Sequence, residues 1–159
     1  MKETKFYYKN DLAPKLIDTI HLGSCAYIEY DKKLLLEKRS DSNRWGLIGG
    51  GLNIDESPEE CILREIKEET GLVINKSDLK FIKVFADPSR IIEYPDGNVV
   101  RSVAFFYFVK LHSLPKLICS SESSELVFFN INDIKKLKIA ETHKHIIDEF
   151  LLNRGTYES

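Results

Sequence analysis

Hydrophobic and polar positions alternate over short runs in most of the chain, and change to a helical period in two places. DTIHLGSCAYIEY (Asp18 to Tyr30) is rich in β-branched and aromatic residues, and LLLEKR (Leu34 to Arg39) follows the polar run Asp31-Lys32-Lys33. Two strands joined by a tight turn are predicted there. SDSNRWGLIGGGLNIDE, full of small and turn-forming residues, predicts a loop. From Ser57 the period changes. Ser57 as N-cap, Pro58 at the first helical position and Glu60 three residues past the cap form a capping box. Ile62, Leu63 and Ile66 share a face, and Gly71-Leu72 reads as a left-handed C-cap with its hydrophobic contact, so a helix is predicted over 57–70.

Apolar runs return at Leu79 to Ala86 and at Ile91 to Tyr94. The turn Pro95-Asp96-Gly97-Asn98 then leads into a long strand from Val99 to Leu111, which makes a hairpin. A further strand is expected near Glu125 to Asn130, and Ala140 to Asn153 carries Ile146, Ile147, Phe150 and Leu151 at helical spacing. No internal repeat, low-complexity tract or linker divides the chain, so residues 1–159 are expected to form one mixed-sheet domain with helices packed on it, of the α/β (α+β) class.

Composition narrows the function. At 159 residues and 43% hydrophobic the chain can bury a substantial core. A net charge of −2, from 23 basic and 25 acidic residues, leaves no electrostatic footprint for nucleic acid, whereas a small anionic ligand needs only a local basic site. Three cysteines, Cys25, Cys61 and Cys119, are odd in number and widely spaced, which suggests neither a disulfide framework nor a CxxC metal site. Without an apolar run of signal-peptide length or of the ~20 residues that span a bilayer, the expectation is a cytoplasmic protein with no membrane partner, monomeric or homodimeric.

The chemistry concentrates in the predicted helix. Glu65, Glu68 and Glu69 lie three and four residues apart, and Glu56 can reach them from the loop. One reading is a solvated face where Glu60–Arg64 and Arg64–Glu68 pairs offset the repulsion. The other is a site for a hard divalent cation, since Mg²⁺ or Mn²⁺ prefers oxygen ligands and bridges carboxylates to phosphates. Gly49, Gly50 and Gly51 let backbone approach a phosphate closely, which favours the second without settling it.

Order and spacing carry the argument further. Gly50, five residues, Glu56, seven residues, then Arg64-Glu65-Ile66-Lys67-Glu68-Glu69-Thr70-Gly71-Leu72 resembles the signature of the Nudix hydrolase family at every required position. Ile48 alone departs, standing where many members have proline before the glycines. The resemblance implies an α/β/α sandwich around a mixed sheet and Mg²⁺-dependent hydrolysis, with Mn²⁺ as the alternative ion, of the phosphoanhydride in a nucleoside diphosphate derivative. It further implies Glu65, Glu68 and Glu69 as metal ligands, Glu56 as their support, and Arg64 as the residue that orients them. The general base is expected at Glu69, or on a later loop at Glu122 or Glu125.

Arg39, Arg44, Arg90 and Arg101, with Gly50 and Gly51, are candidates for substrate phosphates, because arginine's planar fork suits phosphate oxygens. Each has a surface role as its alternative. Trp45 and Phe105-Phe106-Tyr107-Phe108 are candidates for stacking a base, although strand alternation sends half of the run to the core. His143 and His145, two apart on a helix, point in different directions and are expected to cap or lie on the surface. Cys61 is expected to be a small core residue. In the family a proline about sixteen residues past the box accompanies ADP-ribose hydrolysis, and Pro88 occupies that place; a nucleoside triphosphate substrate stays open. A nucleotide-sensing module without catalysis is the competing class.

Overall fold

In a computed structural model, residues 2–157 are described, and the element that organises them is one long central strand. The strands are β1 (Lys5–Tyr7), β2 (Thr19–Tyr30), β3 (Lys33–Arg39), β4 (Trp45–Gly46), β5 (Ile48–Gly51), β6 (Lys80–Phe85), β7 (Ile91–Glu93), β8 (Val99–Leu111) and β9 (Ser123–Asn130). The helices are α1 (Pro58–Thr70), α2 (Ile131–Ile134), α3 (Glu141–Leu152) and α4 (Arg154–Tyr157). Strand β2 runs parallel to β8 along its whole length, from Thr19↔Val100 to Tyr30↔Leu111. Its other edge is shared: β5 pairs antiparallel with residues 23–26, and β3 with residues 29–30. The remaining strands pair antiparallel, which makes the sheet mixed.

Alternation along β2 explains the layers. Cys25 and Tyr27 face a core built with α3 residues Ile146, Ile147 and Phe150, whereas Ala26 and Ile28 face a core built with Ile62 and Ile66 of α1. Strand β8 does the same, with Ala104, Phe106 and Phe108 on the first side and Tyr107 and Val109 on the second. A sheet with both faces covered by helices is the α/β/α sandwich expected from the sequence. Phe106, Tyr107 and Phe108 are buried and Phe105 packs on the α1-side core, so the aromatic run serves the core.

The helix limits match the sequence reading. Ser57 Oγ accepts the Glu60 N–H and the Glu60 carboxylate accepts the Ser57 N–H, both at 3.1 Å, while Gly71 adopts φ 78° and donates to Lys67 O. The β2–β3 turn is tight because Asp31 and Lys32 both take positive φ, 49° and 61°, the twist a two-residue hairpin needs.

Two expectations change. The predicted loop ahead of α1 contains β4 and β5, and the polar N-terminus supplies β1, whose Phe6 is buried against the sheet. The glycines that read as a loop form a strand because α1 packs directly over it: a Cβ on Gly50 would stand 2.4 Å from Glu65 Oε1. Cys61 is buried, as expected.

Phe150 is 1% exposed and packs against the rings of Tyr27, Phe106 and Phe108. Truncating such a side chain leaves a cavity as well as losing burial. Phe150→Ala should therefore lower unfolding free energy by about 3–5 kcal/mol in urea denaturation. A loss under ~1 kcal/mol would contradict this account of the core.

Candidate functional site

Arg64 gathers the acids of α1 and of the loop before it. Its Nε and Nη2 donate to the two Glu56 oxygens at 2.9 and 2.6 Å, and its Nη1 to Glu65 Oε1 at 2.9 Å and Glu68 Oε2 at 3.1 Å. A further bond from Nη2 to Gly51 O, 3.1 Å, ties this cluster to β5. The Arg64 fork, with the Asn53 N–H, holds Glu56 down at about 2, and bonding to Glu56 raises Arg64 itself. Glu60 is instead occupied at the N-cap, where its carboxylate accepts the Ser57 N–H, so among the described residues it forms no pair with Arg64.

Next to this cluster a cavity of about 550 Å³ opens between β2, β3, β5, β8 and α1. Glu65 and Glu69 face it from α1 and Glu37 from β3. All three are buried, and Glu37 accepts a 2.5 Å bond from Ser123 Oγ of β9. Glu69 is 4% exposed, and among the described residues its Oε2 meets no donor. Burial, followed by the neighbouring Glu37 carboxyl, drives Glu69 strongly toward its protonated form, and burial raises Glu65 against the pull of Arg64. An ionised carboxylate with a vacant, buried lone pair is costly unless a proton or a cation meets it.

The oxygen donors are of the hard type that Mg²⁺ and Mn²⁺ select, and the undonated Glu69 oxygen fits such an ion. Among the described residues no three His, Cys, Asp or Glu groups are already arranged around one cation position. Arg64 accounts for part of this, since it occupies oxygens of Glu56, Glu65 and Glu68.

Of the residues nominated from sequence, Glu65, Glu69, Gly50, Gly51 and Glu122 line the cavity, as do Arg39 and Arg90. The others lie elsewhere. Glu56 and Glu68 are bound by Arg64, Arg44 pairs with Glu141 at 3.2 Å, and Glu125 pairs with Lys38 at 3.7 Å. Arg101 turns to the Ala86 carbonyl at 2.7 Å. Trp45 meets Phe129 edge to face and lies outside the cavity.

Sequence reasoning passed over Glu37. On β3 it alternates with Leu34 and Leu36, which belong to the opposite core, so an acid at an inward-facing position was the available signal. The surface expectation for the histidines is also corrected. His143 lines the cavity and its Nδ1 accepts the Leu47 N–H at 3.0 Å, while His145 stacks on Tyr8 with ring centroids 3.7 Å apart. Burial, then the charges of Arg39 and Arg90, pushes His143 down to about 3, and burial with Arg90 pushes His145 down to about 4.

No helix among the described residues is long and apolar enough to cross a membrane. The family model described as NUDIX domain matches residues 19–150. An ADP-ribose pyrophosphatase of Methanocaldococcus jannaschii is 35% identical over 127 residues, covering 78% of this chain and 69% of the relative. A MutT/nudix family protein of Enterococcus faecalis superimposes with a TM-score of 0.60 at 31% identity, covering 74% of this chain and 46% of that one. A bifunctional NMN adenylyltransferase/ADP ribose pyrophosphatase of Francisella tularensis, solved with AMP and a Mn ion, gives a TM-score of 0.72 at 21% identity over 88% of this chain and 43% of its own. The chain thus spans less than half the length of these two structures.

The histidines set a pH dependence. Both are held neutral in the fold, so the unfolded chain binds more protons than the native one once pH falls below the ordinary histidine value of 6.5. The share of stability contributed by these histidines should be full above pH 6.5 and decline as pH falls toward the folded values, whereas raised Glu69 contributes with the opposite sign. Thermal melts from pH 7.5 to 5 should show the wild-type Tm falling relative to that of His143→Gln; equal slopes would refute the assignment.

Proposed function

This chain belongs to the Nudix hydrolase family, and on that premise we propose that it hydrolyses the phosphoanhydride of a nucleoside diphosphate derivative of the ADP-ribose kind. The observation that carries the proposal is the buried Glu69 oxygen without a donor, set among carboxylates on the wall of a cavity large enough for a nucleotide. Pro88, at the place that accompanies ADP-ribose hydrolysis in the family, and the ADP-ribose pyrophosphatase relative support this substrate class, with a nucleoside triphosphate as the alternative.

In this reading Glu65 and Glu69 would hold Mg²⁺, or Mn²⁺ in its stead, joined by Glu68 on exchanging its 3.1 Å bond to Arg64 for the ion, with Glu56 supporting them through Arg64. The bound ion supplies neutralisation of the diphosphate's charge and acidification of a coordinated water. Arg64 keeps the carboxylates at a spacing their repulsion would otherwise widen, and Glu37, anchored by Ser123, backs Glu69 from the sheet. A water oxygen bonds to one phosphorus as the bridging P–O bond breaks, and a carboxylate takes the proton that the water gives up. Glu69 is the first assignment for that base. Glu122 is the alternative, because it lines the cavity and Glu125 does not.

Two measurements test this. With ADP-ribose and Mg²⁺, ³¹P NMR should show AMP and ribose 5-phosphate forming. Glu69→Gln should slow turnover by about 10²-fold or more without lowering the Tm of the metal-free protein. Near-normal turnover in that variant would move the base to Glu122. Mg²⁺ at ~100 times its Kd should stabilise the fold by about 2.7 kcal/mol, since it binds only the native state. An unchanged melt at millimolar Mg²⁺, with and without nucleotide, would sink the metal reading.

A further inference from the structure

Arg90 is the most deeply buried cation on the cavity wall, at 1% exposure, and no carboxylate is bonded to it among the described residues. The turn Asp87-Pro88-Ser89-Arg90 presents it: the Arg90 N–H closes on Asp87 O at 3.1 Å and the Ser89 N–H on Asp87 Oδ1 at 2.9 Å. Its guanidinium is then fixed by neutral acceptors. Nε donates to Ser102 O at 3.0 Å, and Nη1 donates to Thr142 O at 2.6 Å and to His145 Nε2. Among the described residues Nη2 meets only Ser102 Oγ, at 3.5 Å, a distance at which little bonding remains. Arg39, which also lines the cavity, differs, because its fork is filled by both oxygens of Asp41 at 2.9 Å.

Two further donors share that wall with Arg90. Because Nδ1 of His143 accepts the Leu47 N–H, the neutral ring carries its hydrogen on Nε2. Ser102 lines the cavity as well, and its hydroxyl hydrogen is free to rotate toward a ligand. A desolvated guanidinium without a counter-anion is costly, and donors gathered around it are matched by an oxygen-rich anion.

We propose that Arg90, Ser102 and His143 form an oxyanion subsite, separate from the carboxylates of α1, which takes a phosphoryl group of the nucleotide. This rests on the reading of the cavity as the nucleotide site. The carboxylate wall attracts cations and the Arg90 wall attracts phosphate, so the two subsites orient a substrate along the cavity without any contribution from its base. A single inorganic phosphate offers the same oxygens, and the test separates the two sources.

The experiment is calorimetric titration of AMP and of inorganic phosphate into the wild type, Arg90→Lys and Ser102→Ala, each in EDTA and in Mg²⁺. Wild type should bind AMP in EDTA more tightly than phosphate. Arg90→Lys should weaken both by about tenfold or more, the loss of charge-assisted bonds from a fixed fork. Ser102→Ala, which removes a hydroxyl and keeps the backbone acceptor of Arg90, should weaken both severalfold, and it decides the matter should Arg90→Lys fail to fold. The gain in AMP affinity on adding Mg²⁺ should be the same in all three proteins. Unchanged affinities in Ser102→Ala and in a folded Arg90→Lys would overturn the subsite while leaving the proposed function standing. Tighter binding of phosphate than of AMP would overturn the nucleotide assignment. Absence of AMP binding to wild type under both conditions would overturn this inference together with the reading it rests on.

Discussion

The repulsion among the acids of α1 is the constraint on which the rest of the site depends. Two like charges ~4 Å apart cost about 4 kcal/mol at an effective dielectric of ~20. Arg64 answers several of them at once, bonding Glu56, Glu65 and Glu68 and reaching Gly51 O on β5. One guanidinium thereby decides where the helix can sit. With Arg64 bound to the β5 backbone, α1 lies so close that residue 50 has no room for a side chain.

That proximity settles what surrounds the cavity. Strand β2 meets β5 at one end and β3 at the other, and the opening between them is where Glu37, Glu65 and Glu69 face one another. On the far side of the sheet Phe150 and its ring partners fill the core, and Arg154 of α4 reaches back to the buried Glu29 at 2.6 Å. The chemistry gathers where the sheet divides, and the packing that supports it lies where the sheet is continuous.

Much of the fold was legible because local signals agreed. The capping box at Ser57, the left-handed Gly71 and the two faces of β2 and β8 each state their structure in a few adjacent residues. In the site, the spacing of Glu65 and Glu69 was enough to bring both to the cavity, and Arg64 had the pairing role expected of it. What could not be read depends on contacts between distant parts of the chain. Glu37 gains its place from Ser123, 86 residues on, and His143 from Leu47, 96 residues back. The β5 strand was hidden for the same reason, since its glycines reflect the helix above them and carry no strand propensity of their own.

The contact between Gly50 and Glu65 also bears on how this sequence can vary. A methyl group at residue 50 would fall 2.4 Å from Oε1 and 2.5 Å from Cδ of Glu65, so neither residue is judged by selection alone. Any side chain at 50 requires a shorter or displaced one at 65, and the loosened Arg64 cluster would carry the change onward to 56 and 68. The four positions therefore form one epistatic unit, in which substitutions accepted singly will be rare and lineages that depart from the pattern will depart at several positions together.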